Sequence, residues 1–242
     1  MPAILEKWEV LPHGPLVSVD EGILTVTGEI EMPLTRFPRR MTVVALTGGR
    51  TAIFSAIALD EPEMARIEQL GRPSILIVPS DKHRLDAGIW KQRYPEMRVV
   101  APPGARDAVA EVVPVDATTS DILDDASVRW TIVPGTGGHE GALTVRRPGG
   151  VTLVCNDVIG NIAHPDGLGA KIVARLAGFG GSEPQVPRVV RHMMVEDDKA
   201  LAGQFRAWAE EPDLARIIVS HGDVIEENPR DVLLKLAEEL EG

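Results

Sequence analysis

The spacing of apolar and polar residues changes rhythm along the chain, and each change marks an element. GILTVTGEI (22–30) alternates with the period of a strand. MTVVALTGGRTAIFSAIAL (41–59) is two apolar runs around Thr47-Gly48-Gly49-Arg50. Paired glycines supply the positive φ of a tight turn, so this stretch predicts a β-hairpin. EPEMARIEQLG (61–71) has an early proline and a terminal glycine, the start and stop signals of a helix. SILIVPS (74–80) is a short continuous apolar run, as in a strand covered on both faces. RLDAGIWKQRYP (84–95) reads as helix, MRVVAPP (97–103) as strand and ARDAVAEV (105–112) as helix. That alternation of strand and helix implies a parallel section of sheet.

The second half repeats the plan. VRWTIVPG (128–135) reads as a strand, and ALTVRRPGGVTLVCND (142–157) as a hairpin turning at Pro148-Gly149-Gly150. Residues 158–192, with the glycine cluster GFGG, read either as short helices in loops or as a partly mobile cover over a site. DKALAGQFRAWAEE (198–211) has helical spacing and LARIIVS (214–220) is a last core strand. NPRDVLLKLAEEL (228–240) opens with an Asn cap, a first-turn proline and an early acid, so it predicts a helix. No linker or short-period repeat interrupts the chain. These elements predict an α/β fold: a four-layer αββα sandwich, two mixed sheets packed face to face with helices outside, in a single domain over 1–242.

Composition narrows the function. With 242 residues, 44% hydrophobic and 25% charged, the chain can bury a sizeable core. No run approaches the roughly 20 apolar residues of a membrane span. MPAILEKWEV has no basic stretch followed by an apolar core, so no secretory signal is expected and a cytoplasmic location is. The single cysteine excludes an intramolecular disulfide and a Cys-rich zinc site. A formal charge of −11 repels nucleic-acid phosphate and anionic lipid, so neither is expected as a partner. A small-molecule substrate or ligand is; the oligomeric state is left open.

The ionisable residues supply candidate chemistry. His83, His139 and His221 each follow an apolar strand, and so does Asp157. Ligands in open α/β sheets gather outside the carboxyl ends of strands, so these four are expected to converge on one cleft. The bland alternative holds for each singly: a strand-end histidine can hold a loop, and Asp157 can accept backbone N–H groups in a turn. Asp223 either orients His221 or serves its turn. GTGGHEG lacks the Gly-Lys-Ser/Thr ending of a phosphate loop, and no G-x-S-x-G occurs. Cys155, inside an apolar strand, reads as core.

The arrangement resembles the metallo-β-lactamase superfamily from about residue 22 to the end. The resemblance rests on a histidine-bearing loop after SILIVPS, on GTGGHEGAL before a hairpin, on VTLVCND ending in aspartate, and on IIVSHGDVI. It implies that His221 is similar to the family's last metal-binding histidine, His139 to its third-strand histidine and Asp157 to its metal-bridging aspartate. The family's His-x-His-x-Asp-His motif is replaced here by PSDKHRLDAG. With His83 in the second histidine's place, Asp81 and Asp86 stand where histidines would, and Leu85 stands for the catalytic aspartate. VPSDKH and IWKQRYPEMRVVAPP resemble a divergent branch of that superfamily, of unknown function, that also replaces the motif.

The candidate ligands are therefore His83, His139, Asp157, His221, Asp81 and Asp86, for one divalent metal (Zn, Mn or Fe) or none. Exchanging His for Asp hardens the donor set toward oxygen, while Lys82 and Arg84 oppose a dication electrostatically. Two functions follow. One is a metal-dependent hydrolase of a small ester, lactone or phosphoester with an altered metal site. The other is a non-catalytic, metal-free descendant that binds a small molecule or a protein partner in the old cleft. His221 is expected at the exposed end of its strand, mattering to the site more than to the fold.

Overall fold

The computed structural model describes residues 4–32, 35–162 and 183–242. His164, the GFGG stretch and the rest of 163–182, part of the region expected as loops or cover, lie outside the described residues.

One sheet runs β1 (Val17–Asp20), β2 (Ile23–Met32), β3 (Thr35–Leu46), β4 (Arg50–Phe54), β5 (Arg72–Ile77), β6 (Arg98–Val100) in spatial order. β1 to β4 pair antiparallel; β4, β5 and β6 pair parallel. The second sheet has β7 (Val128–Ile132), β8 (Gly141–Arg147), β9 (Gly150–Asn161) and β10 (Leu214–Gly222) in the order β10-β9-β8-β7. β9 pairs parallel with β10 and antiparallel with β8. Helices α1 (Glu61–Leu70), α2 (Ala87–Arg93) and α3 (Arg106–Ala110) follow strands of the first sheet. α4 (Arg188–Met194), α5 (Asp198–Ala209) and α6 (Pro229–Glu241) belong to the second half. Among the described residues, no helix is long and apolar enough to cross a membrane.

The continuous apolar runs explain the layering. Side chains alternate faces along a strand, and here both faces are covered. Leu24, Val43, Ile53 and Leu76 pack with Met64 and Ile67 of α1, Trp90 of α2 and Val109 of α3. Their neighbours Ile23, Val44, Phe54 and Ile75 meet Trp130, Leu143, Val154 and Ile218 of the second sheet. The far face of that sheet, with Leu153, Cys155, Ile217 and Val219, packs on Leu201, Phe205 and Trp208 of α5 and Leu233 and Leu236 of α6. Three apolar layers thus separate four layers of structure, as expected. Each large side chain so buried contributes roughly 1.5–3 kcal/mol.

Local signals account for most boundaries. Gly48 and Gly49 both have positive φ, 74° and 67°, and turn β3 into β4. α5 starts where the Asp197 carboxylate accepts from the N–H groups of Lys199 and Ala200, both at 3.0 Å. α6 begins differently from the expectation. Asn228 precedes it in a left-handed conformation and its side chain makes no cap bond. β9 also departs from it: the strand continues past Asp157 to Asn161.

That extension carries the irregularity that makes the site. Val219 of β10 pairs with Cys155, but His221 pairs with Gly160. β9 therefore places Asn156–Ile159 opposite the single residue Ser220, a wide bulge that re-aims a side chain out of the ladder. β10 closes tightly on β9 beyond it. A Cβ on Gly222 would stand 1.9 Å from the Asn161 carbonyl oxygen, so only glycine fits there.

Candidate functional site

Four chain segments meet at one edge of the sandwich, outside the ends of β4, β5 and β10 and beside the β9 bulge. β5 ends on Val78-Pro79-Ser80 and leads into the turn that carries His83. The bulge projects Asp157, and His221 is the penultimate residue of β10. One imidazole nitrogen of His83, one of His221 and one carboxylate oxygen of Asp157 all lie within 4.8 Å of one another. His83 Nε2 is 3.1 Å from Asp157 Oδ1 and His221 Nε2 is 2.8 Å from the same oxygen. The two rings are 5.1 Å apart between centroids.

The far side of each ring is held. His221 Nδ1 donates to the Pro38 carbonyl at 2.7 Å, and its ring lies against Phe37 at 4.7 Å. His83 Nδ1 is 2.8 Å from Ser55 Oγ. Ser55 follows β4 with φ at 55°, a left-handed conformation that is strained for a residue with a Cβ. Both Nε2 atoms are thereby aimed at Asp157. A hydrogen bond to the outer nitrogen that fixes tautomer and ring direction is the usual support of a metal-ligating histidine. His221 is only 5% exposed, so it is not the exposed strand end the sequence suggests.

A carboxylate network lies behind Asp157. The Glu140 side chain is fully buried and accepts from Asn156 Nδ2 at 3.0 and 3.1 Å and from the Asp157 N–H at 3.2 Å. Ser220 Oγ donates to Asn156 Oδ1 at 2.8 Å, and Ser80 Oγ to Asp157 Oδ2 at 3.5 Å. Burial pushes the Asp157 carboxyl up, but the charges of His83 and His221 and their hydrogen bonds outweigh it and hold the group well below the usual carboxylate range. Burial, and then the Asp157 charge, push the Glu140 carboxyl well up; its hydrogen bonds offset only part of this. Two carboxyls one residue-contact apart are thus driven in opposite directions.

The other sequence candidates fall elsewhere. Asp86 is buried at the start of α2, where it pairs with Arg39 and accepts from the Ala58 N–H at 3.0 Å. Asp81 pairs with Lys82. His139 and Asp81 line a neighbouring depression with Lys82, Met193, Met194 and Glu196, beside the His83–Asp157–His221 cluster rather than in it. Arg84 is turned away, to the Ala108 carbonyl and Glu111. Asp223 engages Asn161 through its backbone, so the partner of His221 Nδ1 is Pro38. Cys155 is buried in the core, as expected, and burial raises its thiol.

Ser55, Pro38, Arg39 and Glu140 belong to the site and were not legible as such. Ser55 had one signal, a lone hydroxyl inside the apolar run AIFSAIAL; Glu140 had another, a charge set directly before the apolar strand β8.

Two imidazoles and one carboxylate, with their outer partners in place, fit a divalent cation. Catalytic zinc takes three such ligands and keeps a position open, and the same set suits iron. A cavity of about 240 Å³ opens over the cluster. His83, Asp157, His221 and Ser55 form its polar end; Phe37, Leu85, Val190, Met193 and Met194 are among its apolar walls.

No protein-family model matches the sequence, and no curated protein does. Solved structures do. The metallo-β-lactamase FIM-1 from Pseudomonas aeruginosa, in its mono-zinc form, superposes with a TM-score of 0.60 at 14% identity, over 95% of this chain and 96% of its own. A metallo-β-lactamase from Erythrobacter litoralis, with β-mercaptoethanol in the active site, gives 0.61 at 17% identity over 93% and 96%. One from Hirschia baltica gives 0.62 at 10% identity over 93% and 98%.

Proposed function

We propose that this chain, which has the metallo-β-lactamase fold, is a hydrolase of a small ester, lactone or phosphoester that works with one divalent cation. The observation that carries this reading is the convergence of His83 Nε2, Asp157 Oδ1 and His221 Nε2 at the floor of a cavity. These three residues would hold the cation, with Zn, Mn or Fe suited to the donor set. When bound, it supplies Lewis acidity toward a carbonyl or phosphoryl oxygen and makes water more acidic.

The chain's own groups do the rest. Ser55 and the Pro38 carbonyl fix the two rings so that neither needs reorganising to present Nε2. The Glu140–Asn156–Ser220 network holds the bulge and so the direction of Asp157. Keeping Asp157 anionic at neutral pH keeps a negative ligand available. The apolar walls exclude bulk water from a bound substrate and strengthen every charge interaction at the floor.

A second reading has its own observation. His83 and His221 already hydrogen-bond Asp157, so protons can satisfy the cluster without a cation, and the cavity would then serve a metal-free binding protein. One experiment separates the two. Protein purified without an affinity tag is assayed for bound metal before and after exposure to Zn²⁺, Mn²⁺ and Fe²⁺, and for ester and phosphoester hydrolysis in each state. The hydrolase reading expects about one cation per chain and activity that follows occupancy. No binding of any of the three, with no hydrolysis, overturns it.

A further inference from the structure

We infer that the cavity selects an uncharged substrate, an ester or lactone carrying an apolar acyl chain, over an anionic one. This inference rests on the hydrolase reading for the word substrate, and on the cavity alone for the chemistry of what binds.

The walls come first. Away from the His83–Asp157–His221 floor, the cavity is lined by Ile30, Phe37, Leu85, Val190, Met193 and Met194. An apolar cavity of about 150 Å³ takes a benzene molecule, so one of 240 Å³ has room for an acyl chain of about six to eight carbons. Ile162, Val190, Phe37 and Met194 form a small apolar cluster separate from the three core layers, so this wall is built at the site rather than borrowed from the core. Met193 and Met194 are flexible and polarizable, which suits chains of differing length.

The charges point the same way. Among the described residues, two cationic side chains line the cavity, and each has a carboxylate partner: Arg39 pairs with Asp86 and Lys82 with Asp81. Among the described lining residues the carboxylate is Asp157, set between two histidines. An anionic group beyond the reacting atoms would leave water for apolar walls and, among the described lining residues, meet only cations that already have a carboxylate partner, an unfavourable transfer for a charge. An uncharged chain meets no such cost.

The entrance agrees. Among the described residues, the exposed large hydrophobic side chains are Ile4, Val10, Val17, Val189 and Met193. Val189, 36% exposed, and Met193, 67% exposed, both sit on α4 and both line this cavity. An apolar rim next to an apolar cavity gives a chain a continuous surface to slide along.

The test uses two independent readouts. Binding of 1-octanol to the metal-free protein is measured by calorimetry, with 1-butanol for comparison. Hydrolysis by the metal-loaded protein is measured on p-nitrophenyl acetate, p-nitrophenyl octanoate and bis(p-nitrophenyl) phosphate. Each buried methylene is worth roughly fourfold in affinity. We expect octanol to bind at least tenfold tighter than butanol, and kcat/KM for the octanoate to exceed that for the acetate at least tenfold and that for the phosphate by more. Met194→Lys should abolish the chain-length preference; Met193→Lys, at a largely exposed position, should reduce it severalfold. Equal binding of the two alcohols with equal rates on both esters overturns the inference while leaving the hydrolase reading intact. A phosphate preferred over the octanoate overturns it too. Octanol binding without hydrolysis of any ester supports the apolar-chain site and overturns the hydrolase reading alone.

Discussion

His221 Nε2 lies 2.8 Å from Asp157 Oδ1 while its Nδ1 lies 2.7 Å from the Pro38 carbonyl oxygen. A carbonyl can only accept, so Nδ1 carries its hydrogen. Nε2 then faces a carboxylate held in its ionised form. It must either carry a second proton or share a cation with Asp157, because a bare lone pair against a carboxylate oxygen at that distance is repulsive.

A cation at the cluster therefore displaces protons. Calorimetric titration with Zn²⁺ in buffers of different ionisation enthalpy should show net proton release at pH 6. His221→Ala should weaken binding by more than the roughly 10–100-fold that loss of an outer partner costs. Binding with no proton release, unaffected by His221→Ala, would place the cation elsewhere.

Ser55 touches His83 but not Asp157, so it acts through the ring. Ser55→Ala should lower metal affinity about 10–100-fold and leave the fold in place. Thermal unfolding of the metal-free variant together with metal titration checks both halves. Unchanged affinity would mean that packing alone sets the ring of His83.

Asp86 is a structural partner of Arg39 in this structure, and both side chains are buried. Breaking a buried pair by removing one member costs about 3–5 kcal/mol, or about 6–20 °C in Tm for a chain of this size. Asp86→Ala should show that loss in thermal unfolding and bind metal normally below its Tm. A stable variant with no metal affinity would make Asp86 a ligand after all.

Asp157 has a folded pKa below its unfolded one, so its contribution to stability is present above about pH 4, the unfolded value, and is lost as pH falls further. In metal-free protein, Asp157→Asn should lower Tm at pH 7, and the gap from the parent should narrow as pH falls below about 4. A gap of constant size across that range would show that the carboxylate gains nothing from its two histidines.

Glu140 has the opposite sign. Its folded pKa is raised, so its contribution is fully present below the unfolded value, about 4.3, and declines as pH rises toward the folded one. Glu140→Gln removes that decline. Between pH 5 and pH 8 the Tm of the variant should fall less than that of the parent, measured in the same buffers by scanning calorimetry. Equal falls in variant and parent would mean that Glu140 is already ionised in the fold across that range.

The sequence by itself determined the layers. The runs ILIV (75–78) and IIV (217–219) are continuously apolar, as a strand buried on both faces requires, and the structure covers both faces of β5 and β10. Paired glycines needed a positive φ and found it at Gly48 and Gly49. These are local requirements, set by backbone sterics and by water's exclusion of apolar surface. Which ionisable groups share a point in space is a different kind of fact. His221 meets the Pro38 carbonyl across 183 residues, and Asp86 meets Arg39 across 47. Nothing in the spacing of LDAG separates Asp86, consumed by a buried guanidinium, from Asp157, thrown into the cleft by the bulge at Asn156–Ile159. His139 keeps its place before a strand and still stands beside the cluster. Side-chain direction at strand ends is fixed by packing between sheets and by single long-range hydrogen bonds, so only the tertiary structure decided it.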